Sequence, residues 1–228
     1  MTYPDRNQND LSEDSRASWH ANHRGAQSAP TSTGIKIELT SIKKEDVIMT
    51  VAEEKYQAEL VKSERDHHTP TAGAMTGHII SNLVIQQHKL RQTLYYAKGI
   101  ERDFITRRFP ALLAEEGKLV DRLNRLMLDE GEVIPTTSEE FSRYSMLEES
   151  GQAKYEAADA LIFAAVKDFA TQNLFVTRGI ALAEKEQKYA LAAFLKELYG
   201  WLKQQIFCLQ SFLGNEAADG LTEEEDED

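Results

Sequence analysis

The sequence predicts an all-α fold: a four-helix bundle with one long crossover, behind an N-terminal extension that contains one or two extra helices. Three observations lead there. Four long stretches carry apolar residues at spacings of three and four, the pattern of helices that each bury one face. The first and second, and the third and fourth, are joined by short links, whereas residues 131–150 between the middle two are rich in turn formers. Nothing after residue 40 alternates with the period of a strand.

Taken in order, residues 1–34 are rich in Ser, Asn, Thr, Ala and Gly and bury little. Within them Ser12, followed by Glu13, Asp14 and Ser15, reads as an N-cap with an acidic first turn, and Gly25 as a stop. A short helix or an irregular tail with scattered charges both satisfy that segment. Ile35, Ile37 and Leu39 alternate with polar residues, which suits a short strand or an extended arm. A charged helix over 45–64 follows, with Val47, Val51, Ala58 and Val61 as a thin apolar stripe, and Thr69 to Gly73 break it.

The first bundle helix is expected over 75–98, with Gly99 in a C-cap position. The second is expected over 103–130 on a face of Ile105, Phe109, Leu112, Leu119, Leu123 and Leu126. Pro110 interrupts it, since an interior proline lacks a donor and costs about 3 kcal/mol. Either the helix starts late with Thr106 as its cap, or it kinks. The crossover over 131–150 leaves room for a short helix over 139–144. The third long helix, over 152–182, is marked by Ala158, Leu161, Ala165 and Phe169, and the fourth, over 189–213, by Leu191, Leu195, Leu198, Leu202, Ile206 and Leu209. The chain therefore divides into an extension over 1–70, a bundle over 71–214 and an acidic disordered tail over 215–228.

The formal net charge is -12, unevenly spread over 228 residues. Residues 1–70 hold 9 Lys and Arg against 12 Asp and Glu, residues 71–213 hold 17 against 18, and residues 214–228 hold none against 8. A near-neutral centre with acidic ends suits a folded core and solvated termini. The single cysteine, Cys208, excludes an intrachain disulfide and reads as a buried, inert thiol. Met1 to Ser12 lack the apolar core of a signal peptide and no stretch is apolar enough to span a bilayer, so a cytoplasmic protein is expected.

The run Lys89-Leu90, then Leu94-Tyr95-Tyr96-Ala97-Lys98-Gly99 and the following helix, resembles the frame of Dps-type mini-ferritins, members of the ferritin-like bundles. The resemblance resumes at Lys167-Asp168-Phe169 and at Leu209-Gln210-Ser211-Phe212-Leu213-Gly214, and spans residues 71–214. It implies a hollow twelve-subunit shell, association with DNA, and an iron-oxidising (ferroxidase) centre between subunits. That centre draws on a His near the end of the first helix, a second His early in the next, and an Asp and a Glu one turn apart further along. Those positions carry Leu94, Thr106, Asp121 and Arg125 here, and Tyr95 stands where the family usually has Trp. Only one carboxylate survives. An arginine donates hydrogen bonds and cannot ligate a cation, and the i,i+4 spacing of Asp121 and Arg125 favours an ion pair instead.

The remaining chemistry lies in histidines and basic residues. Glu64, His67 and His68 precede the turn at Pro70, with Asp66 beside them, and His78 follows it, a set suited to zinc or iron. Some Dps-like proteins with long extensions resemble this in holding a metal just ahead of the first bundle helix. Solvated histidines near a turn fit the same residues. His88 reads as an exposed-face residue. Arg16, His20 and Arg24 repeat every four residues, with His23 beside them, and Lys43-Lys44 form a second basic pair.

The leading expectation is a Dps-like shell that binds DNA nonspecifically and protects it under stress, with the usual ferroxidase centre lost. The alternative is an iron-storage mini-ferritin that oxidises or mineralises iron at other sites, and a scaffold with neither activity is the third. No phosphate loop, activated nucleophile or cysteine-based metal motif points to another enzyme class.

Overall fold

Residues 50–221 are described by the computed structural model, the side chains of Asp66, His67 and His68 excepted. The first helix, α1 (Val51–His68), begins where Thr50 closes a capping box: its hydroxyl accepts from Glu53 N at 3.2 Å, and Glu53 Oε2 accepts from Thr50 N at 2.6 Å. That box, which the apolar stripe does not reveal, displaces the helix from the expected 45–64. Val51 and Val61 remain exposed, so the stripe is not a buried face.

Thr71 caps α2 (Ala72–Tyr96), accepting from Ala74 N at 3.1 Å, and starts the helix three residues before the expected Met75. It ends at Tyr96 with Ala97 as C-cap, and Gly99 takes a positive φ of 89° in the turn beyond. Next, α3 (Arg102–Asp129) runs unbroken through Pro110, so neither a late start nor a cap at Thr106 occurs. Pro110 is exposed, and the Thr106 hydroxyl donates back to Arg102 O at 2.9 Å.

The crossover carries α4 (Ser138–Tyr144), started by a second capping box between Thr137 and Glu140, and a 3-10 turn (Ala153–Tyr155). The third long helix, α5 (Ala158–Lys185), begins six residues later than expected because that turn occupies its predicted first turn. The last, α6 (Tyr189–Leu213), has the expected bounds and ends on left-handed Gly214, φ 78°.

Helix α2 packs on α3 and α5, α5 on α6, and α3 on α6, while α4 lies against α2. Phe109, Phe169, Phe194, Ile79, Leu83 and Leu123 are fully buried between them, each contributing about 1.5–3 kcal/mol. Side chains of two neighbouring helices crowd Gly179, where an added Cβ would lie 3.1 Å from both Ile79 Cδ1 and Leu195 Cδ1. Gly179→Leu is expected to destabilise the bundle by about 2 kcal/mol or more through overpacking, measured as a lowered urea midpoint.

The ordered chain continues past the expected boundary at Gly214. Gln210 Nε2 donates to Asp219 O at 2.8 Å, Asn215 Nδ2 donates to Gln210 Oε1 at 3.0 Å, and Leu221 packs on the core. Leu221 is an isolated apolar residue in an acidic run, too weak a signal to read as an anchor. The segments 1–49 and 222–228, with the expected helix after Ser12, the alternation at 35–39 and the terminal Glu/Asp run, lie outside the described residues. Cys208 is half-buried rather than buried, because it sits on the flank of α6. Among the described residues no helix is long and apolar enough to cross a membrane.

Candidate metal and partner sites

Four residues stand at the positions implied for iron oxidation. Leu94 is half-buried near the end of α2, and Thr106 is exposed with its hydroxyl turned back onto its own helix. Asp121 and Arg125 are exposed on α3. The expected ion pair between them does not form: among the described residues, the cross-helix pair of this surface is Arg122 with Glu197 at 2.9 Å. Arg122 also lies over the Phe194 ring, 4.7 Å from its centre. One carboxylate, a hydroxyl, an isobutyl group and a guanidinium are not a donor set for iron.

The histidine set is only partly within view. His78 sits half-buried in the second turn of α2, where its Nδ1–H donates to Tyr144 O at 2.6 Å. Its ring meets that of Tyr144 edge-on at 5.8 Å. Glu64 is exposed on α1, and the side chains of His67 and His68 lie outside the described residues. Among the described residues no three His, Cys, Asp or Glu side chains group as metal ligands. His88 is exposed as expected, 3.4 Å from Glu149.

What the chain builds around His78 is a part-open cavity of about 160 Å³ between α1, the start of α2 and the crossover. Glu59, Lys62, Met75, His78, Glu132 and Tyr144 are on its wall. Burial and the neighbouring Glu140 push the Glu59 carboxyl up. Glu132 forms a clamp beside it: Lys62 of α1 donates at 2.8 Å and Lys188, from the α5–α6 turn, at 2.5 Å. Burial raises the Glu132 carboxyl, but the bonds and charge of Lys188 and Lys62 outweigh it and hold it below its ordinary value. Glu186, also paired with Lys188, accepts from Ala72 N at 2.7 Å, so the clamp reaches the first turn of α2.

A second polar group lies inside the bundle. Gln86, Glu116 and Gln172 occupy core-facing positions on α2, α3 and α5, almost free of solvent, and Asp168 is one turn before Gln172. Gln172 Nε2 donates to Gln86 Oε1 at 2.8 Å, and Lys89 donates to Asp168 Oδ1 at 2.8 Å.

No family model matches the chain, and no curated protein does. Solved structures do. The DpsB protein of Lactococcus lactis MG1363 is 43% identical over 74% of this chain and 97% of its own, with a TM-score of 0.68. The DpsA protein of the same strain is 37% identical over 75% of this chain and 99% of its own, TM-score 0.70. This chain is a member of the Dps family. Dps from Listeria monocytogenes, 21% identical over 66% of this chain and 98% of its own, TM-score 0.64, shares the fold.

For a Dps protein, then, the ferritin-like helical frame is kept while the residues at the implied inter-subunit iron positions do not suit iron. Arg16, His20, His23, Arg24, Lys43 and Lys44, expected to meet DNA, lie outside the described residues. The clamp at Glu132 and the polar layer at Glu116 escaped the sequence reading. Glu116 was the legible one, because it falls between Leu112 and Leu119 on the buried face of α3.

Proposed function

We propose that this Dps protein forms a hollow twelve-subunit shell in the cytoplasm that associates nonspecifically with DNA through its N-terminal extension and protects it, without the family's inter-subunit ferroxidase centre. The observation that carries the reading is the combination of near-complete coverage of the lactococcal chains with Leu94, Thr106 and Arg125 at three of the four ligand positions. Assembly is supported by large apolar side chains left exposed on the single chain, among them Tyr95 at 71%, Ile100 at 88% and Phe207 at 60%. DNA contact has to be local, because a shell of chains at -12 each repels phosphate as a whole.

We also propose a zinc or iron position at Glu64, His67 and His68 of α1 and His78 of α2, on either side of the turn at Pro70. It is supported by the Tyr144 carbonyl on His78 Nδ1, which orients the ring as a backbone acceptor orients a metal-ligating histidine.

Three measurements on one purified sample test the reading. Light scattering is expected to give a particle of about twelve subunits, and Tyr95→Asp with Ile100→Asp to break it into smaller species. A gel shift is expected to show retarded duplex DNA. Addition of Fe(II) with peroxide is expected to give no rapid stoichiometric oxidation, and fast oxidation that depends on Asp121 would sink the claim that the centre is lost. Slow mineral deposition instead supports the iron-storage alternative, since carboxylates nucleate hard cations without that centre.

A further inference from the structure

We infer that each subunit holds a divalent-cation site inside its own bundle, with Glu116, Asp168 and Gln172 as oxygen donors and Gln86 positioning Gln172. Glu116 is fully buried, and no donor of the described chain reaches either of its carboxylate oxygens. Asp168 Oδ2 and Gln172 Oε1 are likewise buried without a partner. Gln86 and Gln172 are bonded across α2 and α5, Asp168 and Gln172 are a turn apart on α5, and Glu116 is buried on the core face of α3, where the charges of Arg91 and Asp168 both act on it. Asn82 Nδ2 and both polar atoms of Asn173 are also unpartnered, but the other two buried glutamines are satisfied. Gln205 accepts from Arg108 and donates to Trp201 O, and Gln210 is bonded through both ends.

The layer is therefore short of donors, with four unpartnered oxygens against a single unpartnered amide nitrogen, Gln86 Nε2. Exchanging the oxygen and nitrogen of both amides leaves that balance unchanged. A buried charge without compensation costs several kcal/mol. A proton on Glu116 supplies one donor and leaves the layer still short, whereas a cation takes lone pairs from several oxygens at once. Lys89 occupies Asp168 Oδ1 and leaves Oδ2 for the site. Burial favours the uncharged form of Glu116, and Arg91 and Lys89 offset the two carboxylates, so the cation is recruited by the unpartnered oxygens, displacing the proton on Glu116, and not by a net charge of the layer.

An all-oxygen set with two carboxylates suits Mn(II) or Fe(II) and lacks the nitrogen and sulfur that zinc and copper favour. The way in is at Asp168, whose side chain keeps 12% exposure beside Lys89 at 23%.

The test uses the full-length assembled protein, stripped with a chelator and then given Mn(II) alone. Crystals are expected to show anomalous density for one Mn(II) per subunit within coordinating distance of the Glu116 carboxylate. In solution, Glu116→Gln and Glu116→Leu are expected to remove one tight Mn(II) per subunit, and Gln86→Leu to weaken it by about 10-fold or more. The leucine variant keeps a foldable control, because an apolar side chain suits that core position. Density confined to surface carboxylates, or a tight site retained in both Glu116 variants, overturns the inference. Neither readout involves DNA or the inter-subunit positions, so the proposed function stands or falls separately.

Discussion

Glu132→Ala is expected to lower the stability of the subunit by about 2–3 kcal/mol, the largest effect of any single charged side chain outside the bundle core. Removing one member of a fully buried pair costs about 3–5 kcal/mol. Here the side chains of Glu132 and Lys188 keep 14% and 16% exposure, which places the loss below that range. Lys62 is 40% exposed and adds little by itself. Its bond matters for position, since it ties α1 to the crossover. The carboxyl of Glu132 is held below its ordinary value of 4.5, so the folded state binds fewer protons than the unfolded one. Its contribution is complete above that value and lost as pH falls through it toward the lower folded value. The urea midpoint of the variant, measured at one protein concentration because assembly is linked to stability, is expected to fall well below wild type near neutrality and to converge with it in acid. Gly73→Ala is an independent check. An added Cβ would lie 2.5 Å from the Glu132 carboxyl carbon, so the carboxylate must leave its lysines. A difference between wild type and Glu132→Ala that persists unchanged below the ordinary glutamate value would show that ion pairing is not the source.

The long helices were legible because burial on one face writes itself as three-four spacing. Leu191, Leu195, Leu198, Leu202 and Leu209 mark α6, and the structure gives that helix its expected bounds. Starts were less legible where a hydroxyl sets them. Thr50 and Thr71 move α1 and α2 from the positions their apolar residues suggest, since a cap acts through one hydrogen bond that leaves no periodic trace. Pro110 misled for a related reason. Its penalty is real, but a surface proline in a helix packed on two neighbours is tolerated when burial of Ile105, Phe109 and Leu112 outweighs a missing bond.

The site divides along the same line. Loss of imidazole ligands is a statement about residue identity and needs no coordinates. The Asp121–Arg125 pair depends on rotamers, and i,i+4 spacing offers only a few tenths of a kcal/mol to hold them. Glu132 was invisible because its partners are 70 and 56 residues away in the chain. Glu116 is legible as the polar residue on the apolar face of α3, between Leu112 and Leu119, whereas Asp121 and Arg125 lie on the exposed face of the same helix.

Removal of residues 1–34 is expected to abolish retardation of duplex DNA while leaving the shell intact. Arg16, His20, His23 and Arg24 are the best basic cluster of the sequence, with Lys43-Lys44 second, whereas over 71–213 17 Lys and Arg are matched by 18 Asp and Glu. Nonspecific affinity comes from Lys and Arg contacts that release counterions, so it has to arise where basic residues are concentrated. Arg16 and Arg24 flank His20 and His23. With histidine's ordinary pKa of about 6.5, acidification adds positive charge where phosphates can reach it. The sign follows: retardation strengthens as pH falls from about 7.5 to about 5.5. One such element binds weakly, but many copies on one shell engage a long polymer together, and their effective concentration multiplies the affinity by about 10²–10⁴. The double variant Arg16→Ala plus Arg24→Ala is therefore expected to weaken binding and flatten its salt dependence, because fewer counterions are released for each shell that docks. A truncated shell that still shifts DNA as well as the intact protein across that pH range would move the contact to Lys43, Lys44 or the bundle surface, and the N-terminal segment would lose its assigned role.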